Sequence, residues 1–316
     1  MRLYLFVILV INLFSEPAMA QADTLYFPFV AYWSAGDVYE FRVEKINNQW
    51  KNGEHTKMDT TSYDVRFEVL DSTETSYRIQ WNYEMDLGGM SLPQKMARKI
   101  LDDAELEVIY KTNELGEFLE VENWEEIAEH MKEFYDKVIS IVSFSNGMDK
   151  DSVAMALIPK TQMFESQAGV EQGFLKELQY FHFPMGIEFD SESVLQYEDE
   201  LPSLVGSGSI RADCRIRVDS FDIEQDYVVL SHEMQLYQED TKEMLAALFE
   251  KMNILDQTKL NSLVEESIYQ INDENSYAFY YFPGIPHHIH TRRSLKFYYE
   301  EEQIESLEEI IIKMKE

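Results

Sequence analysis

Asp64-Val65-Arg66-Phe67-Glu68-Val69, a polar turn, and Tyr77-Arg78-Ile79-Gln80-Trp81 decide how this chain is read. Charged and apolar residues alternate with a period of two, the pattern of a strand with one face buried and one in water. Two such runs around a polar turn predict a β-hairpin. Its turn, Asp71 to Thr75, is expected at the surface because those side chains cannot sustain the alternation. The pattern returns at Asp213-Cys214-Arg215-Ile216-Arg217-Val218 and Tyr227-Val228-Val229-Leu230, with Asp and Tyr 14 residues apart instead of 13 and a turn at Phe221 to Asp226. Tyr110 to Val121 reads as strand, Gly116 turn, strand, and Tyr277 to Ile289 as strand, Pro283-Gly284 turn, strand. Hairpin, spacer, hairpin thus occurs twice, which predicts a tandem duplication. Residues 21–205 form an N-terminal α+β half and residues 206–316 a C-terminal half sharing the same sheet, with Pro202, Gly206 and Gly208 marking the joint.

Between the hairpins the period lengthens to that of a helix. Asn123, with Glu126 three residues on, predicts a capped helix carrying Ile127, Met131, Phe134, Val138 and Ile141 on one face. Leu245, Leu248, Phe249 and Met252 predict a second, and Leu260, Leu263, Val264 and Ile268 a third after Asp256. Val170, Phe174, Leu178 and Phe181 suggest another, ending before Pro184. Pro93, after Ser91, starts a short one through Met96 and Ile100. At the C-terminus Ile304, Leu307, Ile311 and Met314 fit a helical period, but the β-branched run Ile310-Ile311-Ile312 favours an edge strand that closes the sheet. The expected fold class is α+β: a curved, half-barrel-like antiparallel sheet packed with amphipathic helices.

The first twenty residues give an address. Arg2, the apolar run Leu3 to Phe14 and Ala18-Met19-Ala20 before Gln21 follow the signal-peptide pattern, and the run is too short for a span of about twenty apolar residues. Residues 1–20 are therefore expected to be removed, leaving an exported periplasmic or extracellular protein with no integral membrane span. Asp plus Glu total 59 against 27 Lys plus Arg, a formal charge of -32, which argues against nucleic acid and anionic lipid as partners. A large net charge also serves solubility alone. A hydrophobic fraction of 45% with 13% aromatics separates the chain from disordered compositions and predicts a buried core. Cys214 is the only cysteine, so no intrachain disulfide forms and no mature N-terminal cysteine is available to carry lipid.

Catalytic and metal-binding signatures are missing from the sequence. His287, His288 and His290 offer at most two ligands on one strand face, and Arg292 and Arg293 beside them disfavour a cation, so no metal is expected. His232-Glu233 lacks a second histidine four residues on, so the zinc-protease helix is absent. Gly206-Ser207-Gly208-Ser209 is neither a nucleophile elbow nor a phosphate loop and reads as a flexible joint. Cys214, inside an alternating strand, reads as a small buried side chain. Asp149 and Asp151 lack the spaced ligands of a calcium loop and suit helix capping. No catalytic residue and no cofactor is predicted.

Aromatics crowd Tyr26 to Trp33 and Tyr277 to Phe282, as sheet packing or as the wall of an apolar pocket. Gly36-x-x-Tyr39-x-Phe41, Tyr110-Lys111-Thr112-Asn113-Glu114-Leu115-Gly116-Glu117-Phe118 before Asn123, and Pro283-Gly284-Ile285-Pro286 resemble uncharacterised secreted proteins of Gram-negative bacteria. Some of those are similar in architecture to periplasmic lipoprotein carriers, which implies an antiparallel half-barrel around helices and brings no catalytic residues. The expected function is non-enzymatic binding of an apolar ligand or an envelope protein partner. Met131, Phe134, Leu245, Phe249 and Met252 are the expected lining of the apolar site. The alternatives are a structural protein with a filled core and a hydrolase built from dispersed carboxylates.

Overall fold

The computed structural model describes residues 24–84, 105–171, 175–202, 209–252 and 266–315. In chain order the elements are β1 (Tyr26–Pro28), β2 (Val38–Lys51), β3 (Glu54–Ser72), β4 (Ser76–Glu84), β5 (Glu105–Asn113), β6 (Phe118–Val121), α1 (Trp124–Asn146), α2 (Lys150–Thr161), α3 (Lys176–His182), β7 (Glu188–Asp190), β8 (Val194–Pro202), β9 (Ser209–Asp222), β10 (Tyr227–Leu236), α4 (Gln238–Met252), β11 (Ile268–Tyr280), β12 (Ile285–Tyr299) and β13 (Glu302–Met314). On β3, Tyr63, Val65, Phe67 and Val69 are buried while the residues between them stay at least partly exposed, as the alternation requires. Each of the four predicted strand pairs forms: β3 with β4, β5 with β6, β9 with β10 and β11 with β12.

All these strands belong to one open, curved, antiparallel sheet of 11 strands, in the order β6-β5-β4-β3-β2-β13-β12-β11-β10-β9-β8. Neighbours in the sheet are consecutive in the chain everywhere except at β13–β2, where the last strand meets the first long one. The C-terminal isoleucines therefore lie on a strand, as expected, but in the interior of the sheet and not at its edge. Ile312 sits between Ile289 of β12 and Val43 of β2. β8 pairs with β9 at the far edge, so the Gly206-Ser207-Gly208 joint connects two paired strands, and residues 203–208 themselves lie outside the described residues.

Asn52 and Gly53 join β2 to β3 with φ of 52° and 80°. Two successive positive φ values define the tight hairpin turn that Asn-Gly favours. The turns at Asp71 to Thr75 and Phe221 to Asp226 are largely exposed, as expected.

α1 buries Ile127, Met131, Phe134 and Val138, with Ile141 packed alongside, and ends at Gly147 in the left-handed region. Asn123 stands at its N-cap position but does not cap it. Its side chain accepts the Ile109 N–H and donates to the Glu107 carbonyl, both at 2.9 Å, and so fastens the helix to β5. Asp149 does cap α2, accepting the Ser152 N–H at 3.0 Å.

The helix predicted through Val170 to Phe181 is interrupted. A single turn at Gln167–Gly169 precedes α3, which ends at His182 before Pro184, and Phe174 lies outside the described residues. Ile268 opens β11 and does not end a helix, because its neighbours pair with β12 from Ile268↔Tyr298 onward. The rest of that predicted helix, the one starting at Pro93, and the signal segment 1–20 also lie outside the described residues. Among the described residues no helix is long and apolar enough to cross a membrane.

Candidate functional site

The inner face of the sheet carries two hydrophobic clusters. The larger joins β2–β5 and β10–β13 to α1, α3 and the N-terminal segment, through residues such as Phe41, Phe67, Trp81, Phe181 and Phe279. The smaller occupies the far ends of β9–β11, with Ile210, Ala212, Cys214, Met234, Leu236 and Ile271, and Met244 of α4 packs on it. Between them the inward register turns polar on three adjacent strands at one level. His232 interrupts β10 between Leu230 and Met234, Asp273 and Asn275 interrupt β11 between Ile271 and Tyr277, and Thr291 and Arg293 interrupt β12 between Ile289 and Leu295. These residues are cross-strand partners: His232 faces Asn275, Asn275 faces Thr291, and Asp273 faces Arg293.

A cleft of about 430 Å³ opens over this polar belt, beneath α3 and the segment that follows it. Asp273, 3% exposed, accepts two hydrogen bonds from Arg293, at 2.8 Å from Nε and 2.6 Å from a terminal nitrogen. Charge delocalisation over the guanidinium and two matched bonds offset the desolvation of the pair. Lys176 of α3 reaches Glu308 of β13 at 3.1 Å. Its neighbour Glu177, buried, accepts from Tyr63 at 2.7 Å and Lys45 at 2.9 Å. α3 is thus pinned to the sheet by two ion pairs across strands distant in sequence.

His232 is stacked on Phe183, with ring centroids 4.6 Å apart, and Phe183 also stacks on Tyr277 at 5.0 Å. Burial lowers the imidazole pKa, against the pull of Asp273, Asp199 and Glu233, so the ring is neutral at pH 7. Asn275 Nδ2 donates to its Nδ1 at 3.3 Å, which leaves the proton on Nε2 to be donated to Tyr197 at 3.3 Å. Tyr197 in turn donates to Cys214, and the thiol points to the Ala212 carbonyl at 3.9 Å. Burial pushes the Cys214 thiol up to about 11, so it stays protonated near neutrality. His182, also at the cleft, has both nitrogens committed: Nδ1–H donates to the Gly116 carbonyl at 2.8 Å, and Tyr110 donates to Nε2 at 2.9 Å.

One group in the cleft wall has no partner. Tyr277 is fully buried, yet its hydroxyl makes no hydrogen bond among the described residues. Burial raises the pKa of that hydroxyl well above its ordinary value, and Tyr180, Asp273 and Tyr197 raise it further.

The residues expected to line an apolar site lie on two helices, α1 and α4. Met131 and Phe134 are buried in the larger cluster, on α1 and away from the cleft wall. Leu245, Phe249 and Met252 lie on α4, and their side chains fall outside the described residues. His288 and His290 share a face, with ring centroids 6.4 Å apart, and His290 bonds Glu309 at 3.0 Å, a carboxylate it shares with Arg292. The cleft residues carried a readable signal that was local to no single segment: a polar residue in the inward register of three strands that are neighbours only in the folded sheet.

No known protein family matches the chain, and no curated protein is similar to it. Neither comparison therefore supports the expected resemblance to secreted proteins of Gram-negative bacteria. Among solved structures the chain is similar to lipovitellin, in a study of its lipid–protein interactions, with a TM-score of 0.41 and 8% identity. The likeness covers 90% of this chain and 25% of that one, so the protein spans about a quarter of that length.

Proposed function

We propose that this protein is exported and binds an apolar ligand, without catalysing a reaction, in the cleft between α3 and the inner face of β10–β12. The carrying observation is the cleft itself: about 430 Å³ lined by Met185, Ile187, Leu201 and Met234 above a polar floor. That volume lies within the range of about 300–1,000 Å³ usual for small-molecule sites, and apolar walls with a few placed polar groups are the usual lining. A binding role fits the chemistry of the cleft, where the imidazoles of His182 and His232 are neutral with both nitrogens engaged. Arg2, the apolar run to Phe14 and Ala18-Met19-Ala20 support export.

The test is uptake of a phenylnaphthylamine probe, which fluoresces on leaving water, by protein purified without detergent. Saturable uptake by the wild type is expected, reduced by Leu201→Trp, which fills the cleft mouth. A folded wild type that takes up no probe, and from which organic extraction recovers no lipid, would leave the filled-core structural role standing instead.

A further inference from the structure

On the outer face of the sheet, opposite the apolar cleft, two concavities adjoin. One of about 740 Å³ is floored by the backbone of β8–β11 and walled by their outward side chains. The other, of about 390 Å³, continues it over β11, β12, β13 and β2, and Glu274 lines both. The strand ladders set the walls in two rows. Gln196, Arg215, Glu233, Glu274 and Arg292 are successive cross-strand partners, and two residues away on each strand so are Asp213, Gln235, Asn272, Ser294 and Leu307. Trp50, paired with Glu305, stands at the far end beside Lys296. The side chains of Gln196, Arg215, Glu233, Gln235, Asn272 and Lys296 make no hydrogen bond or ion pair among the described residues, although most stand beside one another. The groove therefore offers free donors and acceptors in planar groups, with one aromatic ring at its end.

We infer that this groove binds an extended, uncharged glycan of the cellulose or chitin type, laid across the strands with its hydroxyls on the two polar rows and one sugar face on Trp50. Each sugar hydroxyl both donates and accepts, and neighbouring hydroxyls match the paired atoms of an amide, a carboxylate or a guanidinium. The C–H face of the ring is apolar and packs on an indole. Adjacent strands lie about 4.8 Å apart, close to the rise of one hexose in a flat, equatorially linked chain, so each sugar meets a new pair of side chains. The seven strands from β8 to β2 are spanned by about a hexasaccharide. An axially linked chain coils and loses this match. An acidic glycan is repelled, because Asp213, Glu233, Glu274 and Glu305 outnumber Arg215, Arg292 and Lys296 on this face and the whole chain carries a formal charge of -32.

The experiment is calorimetric titration of the full chain with cellohexaose, chitohexaose, maltohexaose and hexagalacturonate at pH 7. Saturable heat is expected with cellohexaose or chitohexaose, and much weaker binding of coiled maltohexaose and anionic hexagalacturonate. Shortening the neutral ligand to its disaccharide should weaken binding by about tenfold or more, because only part of the groove is then filled. Trp50→Ala should weaken the hexasaccharide by roughly fivefold to tenfold, the share of one stacking contact. Gln235→Ala combined with Asn272→Ala should weaken it by about tenfold, the share of two hydrogen bonds. These substitutions lie on a solvated face at two separate places, and a cooperative thermal melt in each variant separates lost binding from lost folding. No heat with either neutral hexasaccharide at millimolar concentration, maltohexaose or hexagalacturonate binding as tightly as both, or an affinity that survives both sets of substitutions, would overturn the inference.

Discussion

His182 is buried in the cleft wall and uncharged near neutrality. The imidazole is fully enclosed, and burial lowers its pKa to about 4 from an ordinary 6.5, with the Gly116 carbonyl opposing only in part. A histidine depressed in the folded state takes up its proton more readily when unfolded. Its neutral form is thus accommodated without penalty above pH 6.5, and stability falls as pH drops from about 6.5 to about 4, by up to about 3 kcal/mol. In urea titrations across that range, wild type should lose more stability than His182→Gln, and the gap seen between them at pH 7 should narrow by about that amount. A parallel decline in both proteins would show that the fall belongs to other groups. Asn123 shows the same dependence on surroundings at the scale of one side chain: its position at the start of a helix was readable, but its hydrogen bonds go to β5 because the strand offers a donor and a carbonyl within reach.

The N-terminal segment from Leu25 to Ser34 is an element with little secondary structure and much packing. Phe27, Phe29, Ala31 and Trp33 are buried, and Trp33 Nε1 donates to the Gly284 carbonyl at 3.2 Å. Gly284, in the β11–β12 turn, has φ of +82°, and a Cβ there would come within 2.1 Å of the Val30 carbonyl oxygen. The turn needs glycine both for its backbone conformation and for the segment lying against it. Gly284→Ala should cost about 2–5 kcal/mol, from left-handed strain and from displacement of the segment. Gly53→Ala, where φ is +80° but nothing lies within 4 Å, should cost only the strain, about 1–2 kcal/mol. Denaturation midpoints test the contrast, and faster proteolysis within residues 25–34 of the Gly284 variant alone would locate the damage. Equal losses in the two variants would rule out the close approach as the cause.

Across the whole molecule, one strand makes the sheet continuous. β13 pairs with β12 over Glu302–Lys313 and with β2 over Ile304–Met314, joining two sequential meanders that otherwise share no ladder among the described strands. Ile310 and Ile312, on one face of that strand, contribute to the larger cluster. Deleting residues 302–316 should therefore abolish cooperative unfolding, because two open meanders would each expose an apolar face and an unpaired edge. Circular dichroism through a thermal ramp checks this, and a sharp transition near the wild-type temperature would refute it.

What the sequence alone determined is what a period of two or 3.6 can carry: the four strand pairs, the amphipathic face of α1, the exposed turns and the strand at Ile310-Ile311-Ile312. Alternation reports burial of one face, and that is a property of neighbours along the chain. It left unread that this last strand is interior, since edge and centre differ only in who pairs on the second side, and here the second side is β2, some 250 residues away. The polar belt was decided in the same way. His232, Asp273, Asn275, Thr291 and Arg293 each look like a single break in an apolar register, and only the ladder between β10, β11 and β12 turns them into one floor. Charge pairing, the lone Tyr277 hydroxyl and the space beneath α3 exist because distant segments meet, and tertiary structure alone decides which segments do.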